Sequence, residues 1–162
     1  MATAAPYPCL WFREHAEEAA SFYATLLPDS RVDSVWRTPA DTPSGPAGTV
    51  LTVTFTLAGR RFMLLAGGPA DFAFNESISF VIETEDQVET DRLWDALTVD
   101  GGEPGPCGWL KDRYGVSWQI TPRRLNELTS DPDPARAARA VEAMLKMGKI
   151  DIAALERAAD AR

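Results

Sequence analysis

The stretch TVLTVTFTLAGRRFMLLAGG, residues 49–68, decides the fold. Leu51, Val53, Phe55 and Leu57 alternate with Thr52, Thr54 and Thr56. A period of two puts alternate side chains on opposite faces, so this is a half-buried strand. Gly59 and Arg60 turn the chain into RFMLLAGG, which completes a hairpin. Upstream, YPCLWF (7–12) is a short aromatic strand, and EHAEEAASFYATLL (14–27) has helical spacing at Ala16, Ala19, Ala20, Tyr23, Leu26 and Leu27. PDS breaks that helix, RVDSVWR (31–37) is extended again, and a Pro/Gly/Thr-rich loop covers 38–48. The first 68 residues therefore read βαβββ.

From Ser77 the pattern starts again. SISFVIET is predicted as a strand, with Ile78, Phe80 and Ile82 on one face and Ser77, Ser79 and Val81 on the other. EDQVETDRLWDALTVDG is predicted as a helix with Val88, Leu93, Trp94 and Leu97 on one side. After GGEPGP, the hairpin CGWLKDRYGVSWQITP (107–122) turns at Asp112–Gly115 and sets Val116, Trp118 and Ile120 against Ser117, Gln119 and Thr121. The strand–helix order thus repeats at an offset of about 70 residues, as a pattern with slight sequence identity. The small polar faces of these strands either meet solvent or, if the sheets curl, line a cavity.

Beyond Pro122 the character changes. Asp133 is placed to cap a helix whose first turn holds Pro134, and KIDIAALERAAD makes a second helix. Met144, Leu145, Met147, Ile150, Ile152 and Leu155 are expected to bury, whereas the arginines of ARAARAVEAMLKMGK read as a solvated face. The organisation expected is α+β: paired modules over 1–122, about 1–70 and 71–122, and a helical C-terminal extension over 123–162.

Composition narrows the function. The chain has 162 residues, is 45% hydrophobic and 25% charged, and carries a net charge of −8, the usage of a globular protein. Residues 1–122 hold 17 acidic against 8 basic side chains, and 123–162 hold 7 against 8. An acidic body without a basic cluster argues against nucleic acid. No apolar run approaches the roughly 20 residues of a membrane span, and the apolar N-terminal stretch lacks the basic residue of a secretory signal. Cys9 and Cys107 are too few for a disulfide framework and read as reduced thiols of a cytoplasmic protein. The single histidine, His15, at a helix start, reads as solvent-facing rather than as a metal ligand. AGGPA (66–70) lacks the fuller glycine pattern of a phosphate cradle.

Four segments, CLWFREHAEEAASFYATLLPDSRV, FAFNESISFVIETEDQVETDRLWDAL, CGWLKDRYGVSWQITP and DPDPARAARAVEAMLKMGKIDIAALE, closely resemble the PhnB-like family of the vicinal oxygen chelate superfamily. That superfamily also holds glyoxalase I, extradiol dioxygenases and bleomycin-resistance proteins, and many PhnB-like members are labelled 3-demethylubiquinone-9 3-methyltransferase-like. The resemblance implies paired βαβββ modules of the glyoxalase/bleomycin resistance type, cupped around a pocket and completed in a homodimer. It also implies that metalloenzyme relatives place ligands on the first and last strand of each module. Those positions fall here near Tyr7, Ser77, Met63 or Leu64, and Gln119, none of them His, Asp or Glu. A neutral set offers no charge to a divalent ion, and neither module has the Gly-rich turn of a methyl-donor site. No metal and no cofactor are expected.

The expected function is metal-independent binding of a small molecule. The expected lining is Tyr7, Cys9, Trp11, Ser77, Ser79, Cys107, Trp109, Lys111 and Gln119. Trp11 and Trp109 would offer aromatic faces, Ser77, Ser79 and Gln119 hydrogen bonds, and Lys111 a fixed positive charge favouring an anionic or polar ligand. The alternative is an enzyme of lyase, isomerase or oxygenase type using an unplaced metal or a reactive Cys9 or Cys107 thiol.

Overall fold

The structure, a computed structural model, describes residues 5–161. The chain divides into two compact units between Phe72 and Ala73.

In the first unit, β1 (Cys9–Phe12), α1 (Ala16–Tyr23), β2 (Arg31–Arg37), β3 (Val50–Leu57) and β4 (Arg60–Ala66) form a four-stranded sheet in the order β1-β4-β3-β2. β1 runs parallel to β4, and the other pairs are antiparallel. Alternation along β3 sends Val53, Phe55 and Leu57 into the core, where Phe55 meets Tyr23 of α1 at 5.9 Å between ring centroids. Ala16, Ala19 and Ala20 share that helix face and are fully buried; their small side chains let α1 lie close on the sheet. The helix is shorter than its apolar periodicity, since residues up to Leu26 continue only as turns before Pro28, which cannot extend a helix. Ala58 and Gly59 both have positive φ, 47° and 73°, the backbone of a two-residue hairpin turn matched to strand twist.

The second unit repeats the order. β5 (Phe80–Thr84), α2 (Gln87–Thr98), a single 3₁₀ turn (Val99–Gly101), β6 (Glu103–Pro104), β7 (Trp109–Lys111) and β8 (Ser117–Pro122) give the sheet β5-β8-β7-β6, with β5 parallel to β8. Asp86 caps α2 by accepting from the Glu89 amide, and the Glu89 carboxylate accepts from the Glu85 amide. The strand from Ser77 begins later than predicted. Its pairing starts at Phe80 opposite Trp118, so Ser77, Ile78 and Ser79 run ahead of the sheet and Ile78 is 72% exposed instead of packed. Asn75 holds this approach by accepting from both the amide and the hydroxyl of Ser77. On α2, Thr90, Leu93, Trp94 and Leu97 are buried, and Val88, six residues and some 240° from Trp94, is exposed.

Three helices follow, α3 (Arg123–Thr129), α4 (Pro134–Met144) and α5 (Ile152–Asp160), and belong to the same unit. Asp133 caps α4 over Pro134 as read. Leu125, Leu128, Ala140, Ile150, Leu155 and Ala159 make a small core, with Met144 and Met147 packed at its edge. Leu145 sits at the C-cap of α4 and is exposed, contrary to the expected burial. The α4 arginines are not simply solvated. Arg136 bridges Asp131 and Asp160, and Arg139 donates twice to the Ala159 carbonyl, tying α4 to α5.

The extension is fastened to the module by its own backbone. Gln87 of α2 donates to the Ile150 carbonyl and accepts from the Ile152 amide. The amides of Cys107 and Gly108 donate to the carbonyls of Met147 and Gly148, both at 2.8 Å. A side chain at Gly108 has no room, since its Cβ would lie 2.7 Å from the Ile120 carbonyl oxygen.

Candidate functional site

Direct pairing of Trp109 with Gln119, and of Lys111 with Ser117, puts these four side chains on one face of the second sheet. The other face carries Leu110 and Trp118 into the core beneath α2. The hairpin between these strands is pinned by Asp112, which is 2% exposed. Its Oδ1 accepts from the amides of Tyr114 and Val116, and its Oδ2 from the indole of Trp118 at 2.8 Å.

Above this face is a cavity of about 410 Å³ lined by Glu76, Glu103, Pro106, Trp109, Lys111 and Ser117, among others. Two of the predicted lining residues, Trp109 and Lys111, form its wall. The Lys111 ammonium is not a free charge, because Glu76 pairs with it at 2.5 Å. Glu76 raises the Lys111 pKa, and Lys111 in turn holds the Glu76 carboxyl below the usual range. Glu103, opposite Lys111 across the sheet, adds a second carboxylate. Ser117 is only 2% exposed, and its hydroxyl has no hydrogen-bond partner among the described residues. Gln119 donates to Ser79 Oγ at 2.8 Å. Glu76 and Glu103 have no place in the sequence reading, and Ser117 enters it as a polar-face residue without being named in the lining. Ser117 had a visible signal, two residues before Gln119 on the same strand face, whereas Glu76 reaches Lys111 from a loop far away in sequence.

Cys107 is not on a strand. It occupies a turn with φ 56°, and its sulfur lies 3.6 Å from the Met144 carbonyl in the helical extension. Tyr7, Cys9 and Trp11 belong to the first unit. Tyr7 precedes β1 and lies under the Arg61 guanidinium, 4.5 Å from its ring centroid. Cys9 pairs in register with Met63, and burial pushes its thiol pKa up, which suppresses the thiolate. Trp11 is 38% exposed, edge-on to Phe72 at 5.6 Å. A larger hollow of about 680 Å³ at the start of α1 is lined by charged side chains, Arg37 and Glu17 paired at 2.8 Å among them, together with Ser21, Thr49 and Val50. His15 there is exposed and 3.2 Å from Glu18, the solvent-facing placement expected of it.

The positions implied as metal ligands do not fit one. Tyr7 faces a guanidinium, the Ser77 hydroxyl is taken by Asn75, Gln119 is bonded to Ser79, and Met63 offers only a thioether. Among the described residues no three His, Cys, Asp or Glu side chains come together in a way that could hold an ion. This neutral donor set is a poor match for a hard divalent cation.

Two four-stranded sheets of identical order, each closed by a parallel pairing of first and last strand, define the glyoxalase/bleomycin resistance fold of the vicinal oxygen chelate superfamily. The family model described as 3-demethylubiquinone-9 3-methyltransferase matches residues 4–121, and the chain belongs to that PhnB-like family. The PhnB protein from Bacillus cereus is 34% identical, covering 72% of this chain and 98% of its own, with a TM-score of 0.64. A Pseudomonas aeruginosa protein is 19% identical over 74% of this chain and 98% of its own, TM-score 0.61. A Bacillus cereus protein described as a possible glyoxalase is 10% identical over 74% and 99%, TM-score 0.51; these last two show the fold alone. No curated protein matches the sequence. The family match ends at Thr121, so α3, α4 and α5 lie beyond it.

Proposed function

We propose that the protein binds a small organic molecule on the open face of the second sheet, between Trp109 and the loop carrying Glu76, without a divalent ion. The observation that supports this is the cavity itself. Its volume, about 410 Å³, falls in the range of roughly 300–1,000 Å³ common for ligand pockets. Its walls combine an indole and prolines with a few polar groups, the composition expected of such sites. The donor chemistry described above speaks against metal-assisted catalysis, and the raised pKa of Cys9 against that thiol as a nucleophile. Methyl transfer is not part of the reading. The strand–helix connections run through Arg13–His15 and Glu85–Asp86, without the glycines of a methyl-donor turn.

A thermal-shift screen of small organic molecules beside divalent metals tests the reading. A ligand present at a hundred times its dissociation constant adds about 2.7 kcal/mol, a rise of about 5–10 °C for a chain of this size. A rise with an organic class that Trp109→Ala abolishes supports the proposal, and a rise with a divalent metal alone overturns it. We further propose a homodimer in the cytoplasm, on the strength of the family membership and two free cysteines. No helix among the described residues is long and apolar enough to cross a membrane. Light scattering of the purified chain reads the assembly; a monomer at micromolar concentration contradicts it.

A further inference from the structure

The groups around the cavity specify its occupant more narrowly. We infer that it takes a flat, largely apolar ligand that is neutral or cationic, held by a hydrogen bond to Ser117 Oγ; this rests on the proposal that the cavity is a binding site.

Charge comes first. Lys111 alone would attract an anion, but Glu76 pairs with it at 2.5 Å and Glu103 stands beside it. One cation facing two carboxylates leaves the wall formally at −1, within a chain whose net charge is −8. An anionic group entering here meets repulsion from the second carboxylate and from the protein's wider field. A cation instead gains from the carboxylates and from the indole face of Trp109.

Ser117 supplies the orientation. A buried hydroxyl is nearly always hydrogen-bonded, because leaving it unpaired forfeits its hydration without return. Ser117 lies at the cavity wall, is 2% exposed, and has no partner among the described residues. The hydroxyl exposes almost no surface in this structure, so a partner in the cavity satisfies it by displacing the groups that cover it. Local cost at a position that serves a ligand is a common feature of binding sites. Trp109, paired across the sheet with Gln119 and on the same face, gives the flat surface against which a ring can stack.

The test compares three probes of one shape that differ in charge: 2-phenylethanol, 2-phenylethylammonium and phenylacetate. Each is titrated into the full chain while amide and indole resonances of residues 103–119 are followed by NMR. Saturable shifts centred on Trp109 are expected with the alcohol and the ammonium compound, and phenylacetate should bind at least about tenfold more weakly. Ser117→Ala should weaken the alcohol about three- to tenfold, the loss of one hydrogen bond. The same variant should melt at or above the temperature of the parent, because it removes an unpartnered hydroxyl; a structural serine would lower it. Lys111→Gln, at a partly exposed position, should widen the preference for the ammonium probe. Phenylacetate binding as tightly as the others, or Ser117→Ala binding the alcohol unchanged, overturns the inference while leaving the cavity a binding site. If none of the three probes moves residues 103–119, the inference fails together with the reading beneath it. Shifts that do not saturate count as no binding and overturn the inference in the same way.

Discussion

The two modules have the same strand order but are held together differently. In the first, β2, β3 and β4 have 7, 8 and 7 residues, and the β3–β4 ladder runs from Thr52 opposite Leu65 to Leu57 opposite Arg60. Its turn, Ala58–Gly59, has positive φ at both residues and needs one side-chain bond, Ser30 Oγ accepting from the Ala58 amide. In the second, β6 has 2 residues and β7 has 3, and the β7–β8 ladder is confined to Trp109–Lys111 opposite Ser117–Gln119. Side chains make up the difference: Asp112 bonds two amides and an indole, and the helical extension grips the turn at Cys107 and Gly108. One topology is thus stable with long ladders, or with short ones plus a buttress. Short strands have a further consequence. The β6–β7 ladder ends at Pro104 opposite Leu110, and the tight turn through Gly105 and Pro106 that follows forms part of the cavity wall.

If this contrast is right, the largest effect comes from breaking the substitute for the ladder. Asp112→Ala leaves the amides of Tyr114 and Val116 and the buried Trp118 indole without their acceptor. Each unsatisfied buried donor costs about 1–3 kcal/mol, so a loss of about 3–5 kcal/mol is expected in urea unfolding. A loss below about 1 kcal/mol would mean that the short hairpin stands by its ladder alone. Ile150→Ala tests the buttress. Ile150 is fully buried in the extension's core, and its truncation should cost about 2–4 kcal/mol. Hydrogen exchange at the amides of Cys107 and Gly108 should accelerate with it, while that of the β3–β4 amides should follow global stability only. In the first module Gly59→Ala, at φ 73°, should cost about 1–2 kcal/mol, since the ladder on either side holds the register.

Much of this architecture was legible before the structure. The period of two in Leu51–Leu57, the alanine-rich face of α1 and the Asp133-Pro134 cap are local signals, and each was realised. Local reading failed where a partner decides. Ile78 looks like a strand residue, but its neighbours in β8 begin two residues later. Val88 is apolar in a helix yet lies off the face that Thr90, Leu93, Trp94 and Leu97 define, and a threonine took the place expected of it because Thr84 offers it a hydrogen bond. Lys111 was read as a fixed positive charge since nothing in its own strand neutralises it; Glu76 does so through the tertiary fold. The polar alternation of Ser117 and Gln119 was visible, and of the two Ser117 lines the cavity. The cavity's charge balance was not, because charge balance is a property of elements brought together.

The smallest effect concerns the ionic part of the buttress, and its pH dependence has a definite sign. Lys149 of the extension lies 2.8 Å from Asp91 and 3.7 Å from Asp95 on α2. The Lys149 hydrogen bond, helped by Gln87, holds Asp91 below its ordinary 3.8, and Asp91 raises Lys149 above 10.5. A depressed carboxyl pKa means that the contribution is complete above about 3.8 and disappears as pH falls through the lower folded value. A raised lysine pKa means that it is complete below 10.5 and disappears as pH rises through the higher one. The pair is more than a third exposed, so solvent screening limits it to about 0.5 kcal/mol. Lys149→Met should therefore lower the urea midpoint slightly at pH 6, by an amount that shrinks as pH falls below 3.8, and 1 M salt should shrink the difference at pH 6. A variant that loses several kcal/mol at pH 6 would show that the extension is held by charge. The small loss expected here leaves the grip to Gln87, Ile150 and the backbone bonds of Cys107 and Gly108, which do not titrate in this range.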